Sequence, residues 1–305
     1  MSRFEFDWVD AFTSRAFGGN GCVVVHDAAG LSIQDRLALV RETSLSECAF
    51  VVPSEVADFG ARYYLADKEI LMAGHPTVAT VVSLVDRGLV NMSGGHAEFT
   101  LEVGIGVLPI EVEAVADMDG GPVVAMIQKA PEFGARLERA VIADMVGLQA
   151  DDIVGTPQIV STGTPFCITV LRDKDALRRA VLQHDKWRAL NPPGAARTEM
   201  VEPFLVTLGG ETEVGDTFSR LLLPPPMPAE DPFTGSATGC MAAYLWHHGL
   251  IERPVFTAEQ GHWMGRPGTA GVEVLGPREA PTGIRVSGQG HVLMRGELDL
   301  SGHAP

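Results

Sequence analysis

The sequence predicts an α+β fold of two similar halves, each a curved, mostly antiparallel sheet wrapped around a central apolar helix. A repeated segment is the first ground. Glu69-Ile-Leu-Met-Ala-Gly-His-Pro-Thr through Val90 aligns without a gap on Glu230-Asp-Pro-Phe-Thr-Gly-Ser-Ala-Thr through Ile251, a constant offset of 161 positions (69 to 230). Glu69/Glu230, Gly74/Gly235, Thr77/Thr238, Leu84/Leu245, Gly88/Gly249 and Leu89/Leu250 are identical, six matches where composition alone gives about one or two. The second ground is that each copy reads as a glycine turn opening a helix that is apolar nearly all round. Val78, Ala79, Val81, Val82, Leu84 and Val85 fill one, and Met241, Ala242, Ala243, Tyr244, Leu245 and Trp246 the other. A helix without a large polar face must be enclosed, and the strand-like segments of each half supply the enclosure.

In chain order, apolar and charged residues alternate from Phe4 to Phe12, as in a half-buried strand. A helix follows from about Ile33 to Glu42, capped by Ser32, with Ile33, Leu37 and Val40 along one face. Glu47 to Val52 reads as a strand leading to the first duplicated helix. There Pro76 suits a first turn whose amide is unbonded anyway, and Gly88 suits a left-handed stop. Strands are expected over Glu98 to Val103 and Val107 to Val112, and Asp-Met-Asp-Gly-Gly-Pro, Asp117 to Pro122, breaks the pattern as a crossover. Phe166 to Leu171 then reads as a strand, Lys174 to Leu190 as one amphipathic helix, and the second duplicated helix closes at Gly249. The tail from Gly283 to Leu300 reads as strands returning to the first half. The expected domains are therefore 1-119 with about 283-305, and 120-282.

At 305 residues and 46% apolar content the chain suits two domains better than one. Its 39 acidic against 23 basic residues give a net charge of −16, which repels nucleic acid and anionic membrane, so neither is an expected partner. Met1 to Trp8 alternates charge and apolarity rather than forming a secretion signal, and no run reaches the roughly 18 apolar residues of a spanning helix, so a soluble, cytoplasmic protein is expected. Cys22, Cys48, Cys167 and Cys240 are scattered and read as reduced, buried thiols. Gly104-Ile-Gly106 lacks a third glycine and runs into Pro109, which argues against a dinucleotide site. The adjacent His247 and His248 cannot face one metal, so no cofactor and no metal is expected.

Matching turns with unlike polar residues suggest an active site between the halves. Amides at Gly74-His75 and Gly235-Ser236 are placed at helix starts, where small anions such as carboxylates bind; the plainer role is a tight turn. Glu47, at the mouth of an apolar strand, fits a partly desolvated acid/base as well as an ordinary solvated strand end. His75 can donate to a substrate oxygen or relay a proton, or simply bond backbone. Asp231 before Pro232 can mark only a turn, and Ser236 can be only a cap.

Taken together these residues resemble the PhzF family, the phenazine-biosynthesis isomerase family, which shares its fold with diaminopimelate epimerase. The resemblance runs through Val9-Asp-Ala-Phe-Thr, Gly19-Asn20, Ser46-Glu47 before Phe50, Gly74-His-Pro-Thr77, Glu230-Asp-Pro-Phe-Thr-Gly-Ser-Ala237, Gln260-Gly261 and Gly265-Arg-Pro267. It implies two barrel-like halves related by a pseudo-twofold axis, and a homodimer. It also implies Glu47 as the acid/base, His75 and Asp231 as its catalytic partners, and Ser46, Gly74, Gly235 and Ser236 as substrate-binding positions. Gly21 departs from the proline usual there, which bears on the strand entry, and Pro224-Pro-Pro226 with Pro228 bears on one wall of the pocket. The related racemases place thiols before the two glycines, where this chain has Ala73 and Thr234, so two-thiol chemistry is excluded.

The expected function is thus a cofactor-independent isomerase that moves a carbon-bound proton on a small carboxylate. The alternatives are an inactive ligand-binding or interaction protein on the same fold, or a related epimerase or lyase using the same base.

Overall fold

A computed structural model describes residues 3–115, 121–194, 196, 200–225 and 227–301. Asp117 to Gly120 of the expected crossover, with the 119/120 boundary, and Pro226 of the proline run lie outside the described residues. The chain forms two compact units, Met1–Ile127 with Ser287–Pro305, and Gln128–Val286. Among the described residues no helix is long and apolar enough to cross a membrane.

The first unit holds β1 (Arg3–Ala11), β2 (Asn20–Val25), β3 (Cys48–Val52), β4 (Phe59–Tyr64), β5 (Glu69–Ile70), β6 (His96–Val103), β7 (Gly106–Glu113) and β8 (Val123–Gln128), with most of the final strand, β17 (Gly283–Asp299). β1 runs antiparallel to both β2 and β17. β2 pairs parallel with β3, β3 antiparallel with β4, β4 parallel with β6, and β6–β7–β8 continue antiparallel. Pairing of β8 with β17 returns the circuit to β1, so the sheet is barrel-like and leaves few open edges.

β2, Asn-Gly-Cys-Val-Val-Val, is buried at every position. Its alternate residues Val23 and Val25 join Val40 and Leu37 of α1 (Ile33–Thr43) in one apolar cluster, which leaves Cys22 and Val24 on the opposite face. Ser32 caps α1 by accepting from Asp35 N at 3.1 Å. α2 (Gly74–Asp86) is buried from Gly74 through Leu84 and packs against β1, β2 and β3. Its far end is tied down by Asp7, wholly buried, whose Oδ2 accepts from Ser83 Oγ and Arg87 Nε, both at 2.6 Å. Burial alone raises the Asp7 carboxyl, but bonds from His26, Arg87 and Ser83 outweigh it and hold the group well below the usual carboxylate range.

The second unit holds β9 (Glu132–Arg136), α3 (Arg139–Met145), β10 (Ile153–Ser161), β11 (Pro165–Leu171), α4 (Lys174–Arg179), α5 (His184–Leu190), β12 (Pro203–Leu208), β13 (Thr217–Leu222), β14 (Glu230–Asp231), α6 (Gly235–His247), β15 (Val255–Gln260) and β16 (Gly268–Leu275). From β10 the pairings run antiparallel to β11, parallel to β12, antiparallel to β13, parallel to β15 and antiparallel to β16. The first unit shows this same succession from β1 to β7. α6 is buried from Gly235 through Leu245 and packs against β10, β11, β12 and β16.

α2 and α6 are both 13 residues long and begin at equivalent glycines. Both stop alike: Gly88 and Gly249 take φ of 70° and 69°, and the next amides, Leu89 N and Leu250 N, bond back to Leu84 O and Leu245 O.

The single helix expected over Lys174 to Leu190 is two, α4 and α5. Ala180 turns to ψ 127°, after which Val181 N and Gln183 N bond Val146 O and Met145 O beside the end of α3. Arg220 Nη1 takes the carbonyls of Leu177 and Ala180 at 2.7 and 3.1 Å. Tertiary partners for the backbone outcompete the amphipathic period here.

Candidate active site

In the first unit, the parallel pairing of β2 with β3 sets Asn20, at the start of one strand, near Glu47, which directly precedes the other. The chain reaches Glu47 through Ser44, a left-handed residue (φ 55°) that ends α1. The expected strand begins one residue later than Glu47, at Cys48. Gly19 makes the entry to β2 possible, since a Cβ there would lie 1.9 Å from Ala11 O. Gly21 leaves that entry regular: the β1–β2 register is unbroken from Phe6↔Val25 to Ala11↔Asn20.

His75, 4% exposed, lies in the first turn of α2 with Nδ1 3.2 Å from Asn20 Nδ2 and 3.6 Å from Glu47 Oε2. His75 Nδ1 is thus within reach of both the Asn20 amide and the Glu47 carboxylate. Glu47 keeps 18% side-chain exposure, enough to exchange a proton while largely shielded. The Ser46 hydroxyl is shut off from solvent and has no hydrogen-bond partner among the described residues. A buried hydroxyl left so is costly unless a ligand completes it. Below the helix start, Thr77 Oγ1 donates to Ala73 O at 2.6 Å and shares a 2.9 Å bond with Tyr63 OH. The residue before α2, Ala73, makes no side-chain cap to its first turn.

In the second unit, Asp231 closes β14 and is 7% exposed. Its Oδ2 accepts from Thr234 Oγ1 at 2.5 Å. Gln260, wholly buried at the end of β15, accepts from Thr234 N at 3.0 Å and donates to Asp231 O at 2.8 Å. Gly261 (φ 81°) lets β15 pass under this turn, because a Cβ there would lie 2.4 Å from Pro232 O. α6 also lacks a side-chain cap, and Ser236, 8% exposed, lies in its first turn. The Gly235 carbonyl accepts from Gln128 Nε2 at 3.0 Å.

Glu47 and His75 thus meet at the Gly74 helix start, with Ser46 directly before Glu47 in the chain, and Asp231 and Ser236 flank the Gly235 start. Sequence reasoning gave no role to Asn20, Gln260 or Gln128. The Gly19-Asn20 and Gln260-Gly261 pairs carried a signal for the first two; Gln128 had none, since its partner is 107 residues away. The thiols offer no base. Burial chiefly pushes Cys48 up to about 12 and Cys240 up to about 11, and raises Cys22 well above its ordinary value, with nearby Cys48 and then Glu47 adding to it. Among the described residues no three His, Cys, Asp or Glu side chains are grouped to hold a metal ion. A cleft of about 950 Å³ in the first unit, lined by residues including His26, Arg87 and Arg295, touches none of the candidate residues.

The family model of the phenazine biosynthesis-like proteins (PhzC-PhzF) matches residues 9–296. YfhB of Bacillus subtilis, described as an uncharacterized isomerase, is 29% identical over 90% of this chain and 92% of its own. The trans-2,3-dihydro-3-hydroxyanthranilate isomerase of Pseudomonas fluorescens is 30% identical over 96% of this chain and 98% of its own. Among solved structures, a PhzF-family phenazine biosynthesis protein of Bacillus anthracis superposes with a TM-score of 0.83 at 25% identity, covering 98% of this chain and all of that one.

Proposed function

This chain belongs to the PhzC-PhzF family of phenazine biosynthesis-like proteins, with an isomerase/epimerase-like function, and on that premise we propose that it moves a carbon-bound proton on a small carboxylate substrate. Glu47 takes the proton as a carboxylate: the C–H bond breaks, its electron pair enters the substrate's conjugated system, and the glutamic acid returns the proton to another carbon or face. No redox change occurs, so the reaction as written calls for no cofactor. In the first unit His75 steadies charge on a substrate oxygen and the Gly74 amide with the Ser46 hydroxyl receives the carboxylate; in the second unit Asp231, Ser236 and the Gly235 amide serve as binders of polar groups. On this reading each buried helix is the axis of its own barrel-like half. The homodimer remains part of the proposal on the strength of the family resemblance.

The observation that carries the reading is the Glu47–His75 pair: a carboxylate at 18% exposure, next in the chain to the shielded Ser46 hydroxyl, and an imidazole 3.6 Å away in the first turn of α2. The names of the relatives favour isomerisation over simple ligand binding. The test is incubation in heavy water with a panel of small unsaturated and amino carboxylates, including trans-2,3-dihydro-3-hydroxyanthranilate, followed by NMR. The expected result is an isomer carrying deuterium at its newly protonated carbon. Panel members that bind without any exchange would replace this reading by the ligand-binding one. Two diastereomers of one amino acid exchanging at the α-carbon would make the protein an epimerase with the same base.

A further inference from the structure

The internal repeat provides a control within one molecule. In the first unit β5 ends at Ile70, Ala73 precedes α2, and Val103 precedes Gly104, where an added Cβ would lie 2.7 Å from Leu71 Cα. The second unit has Asp231, Thr234 and Gln260 at these places, with Gly261 packed as closely against Pro232. Both turns lead into helices of equal length with equivalent stops. Apolar residues therefore suffice to build the turn, and the polar trio answers another need.

That trio is a directed hydrogen-bond set. Thr234 N can only donate and Asp231 O can only accept, which fixes the Gln260 amide with Oε1 on the first and Nε2 on the second. Nε2 also donates to Thr234 Oγ1 at 3.2 Å, so the hydroxyl sends its own proton to Asp231 Oδ2 at 2.5 Å. All three side chains are at least nine-tenths buried. A donor held in this way favours the charged carboxylate and stops its rotation.

We propose that Thr234 and Gln260 are positioning residues that hold Asp231 as a fixed hydrogen-bond acceptor for the reaction. The reaction clause rests on the functional reading above; the hydrogen-bond set does not. Asp231 is followed directly by carboxyl-carbon NMR of aspartate-labelled protein, its signal being the one missing in Asp231→Asn. Thr234→Val removes the hydroxyl at matched size. Gln260→Glu can only accept, so it turns the hydroxyl away from Asp231 and adds a negative charge. Both should raise the Asp231 midpoint by about one pH unit or more, whereas Thr234→Ser should leave it near the unmodified protein. In the deuterium-exchange assay the acid limb of kcat should move by the same amount. If Gln260→Glu does not fold, Gln260→Asn, which shortens the reach without adding charge, carries the same expectation of a raised midpoint. An Asp231 midpoint alike in all variants overturns the proposal. A midpoint that moves while the exchange profile does not removes Asp231 from the reaction and leaves only the hydrogen-bond set.

Discussion

Gly239 lies in the interior of α6, and by helix propensity alone Gly239→Ala should stabilise the protein by about 1 kcal/mol. The structure reverses that sign. A Cβ at Gly239 would lie 2.0 Å from Gln128 Oε1 and 2.6 Å from its Cδ, about 1–1.5 Å inside an ordinary contact. The Gln128 amide is 1% exposed, donates to Gly235 O at 3.0 Å and accepts from Thr162 Oγ1 at 2.6 Å. Displacing it leaves the buried Gln128 Nε2 without its acceptor, while Gly235 O keeps its helical bond from Gly239 N, and leaves the Thr162 hydroxyl only the Cys240 thiol at 3.4 Å. Each buried partner so lost costs about 1–3 kcal/mol, so the net effect after the propensity gain is a loss of about 1–5 kcal/mol. At about 2–4 °C per kcal/mol for a unit of this size, melting should fall on the order of 10 °C. Urea unfolding with an unchanged slope and a thermal melt measure it. Gly239→Ala combined with Gln128→Ser should lose less than the two single losses added together. A Gly239→Ala protein melting at or above the unmodified one would refute the reasoning.

Three further outcomes follow from the first unit and the thiols. Arg87→Met leaves Asp7 buried without its main counter-charge and should cost up to about 3–5 kcal/mol in urea unfolding. Because the Asp7 carboxyl titrates below its ordinary value of about 4, its ionised form stabilises the fold above that pH and the contribution fades as pH falls below it. Asp7→Asn should therefore be less stable at neutral pH and show a flatter loss of stability in acid. With Cys48 and Cys167 both near 12 and all four cysteines buried, an aromatic disulfide reagent at neutral pH should react only on unfolding. Fast labelling of the native protein would contradict this.

The duplicated helices were legible because enclosure leaves a compositional mark: an apolar circumference between two glycines, repeated at a fixed offset. α2 and α6 start and stop where that mark places them. The Ser32 cap was legible because capping depends on a local side chain, and α1 begins at Ile33 as its cap requires. The break between α4 and α5 was not legible, since it depends on Arg220 and on carbonyls near the end of α3, far away in sequence. The same holds at the candidate site. Glu47, His75 and Asp231 stand out as polar residues in apolar or glycine-rich surroundings, but Gln128 carries no local sign of the carbonyl it holds. Gln260 and Val103 become comparable only when the glycines after them are seen lying under equivalent turns.

The central claim is that Glu47 carries the proton. The direct measurement compares deuterium incorporation into a substrate by unmodified protein and by Glu47→Gln, with melting temperature and substrate affinity followed in parallel. Exchange should fall on the order of 10²–10⁴-fold while both controls stay close to the unmodified values. Exchange at an undiminished rate in Glu47→Gln would contradict the account.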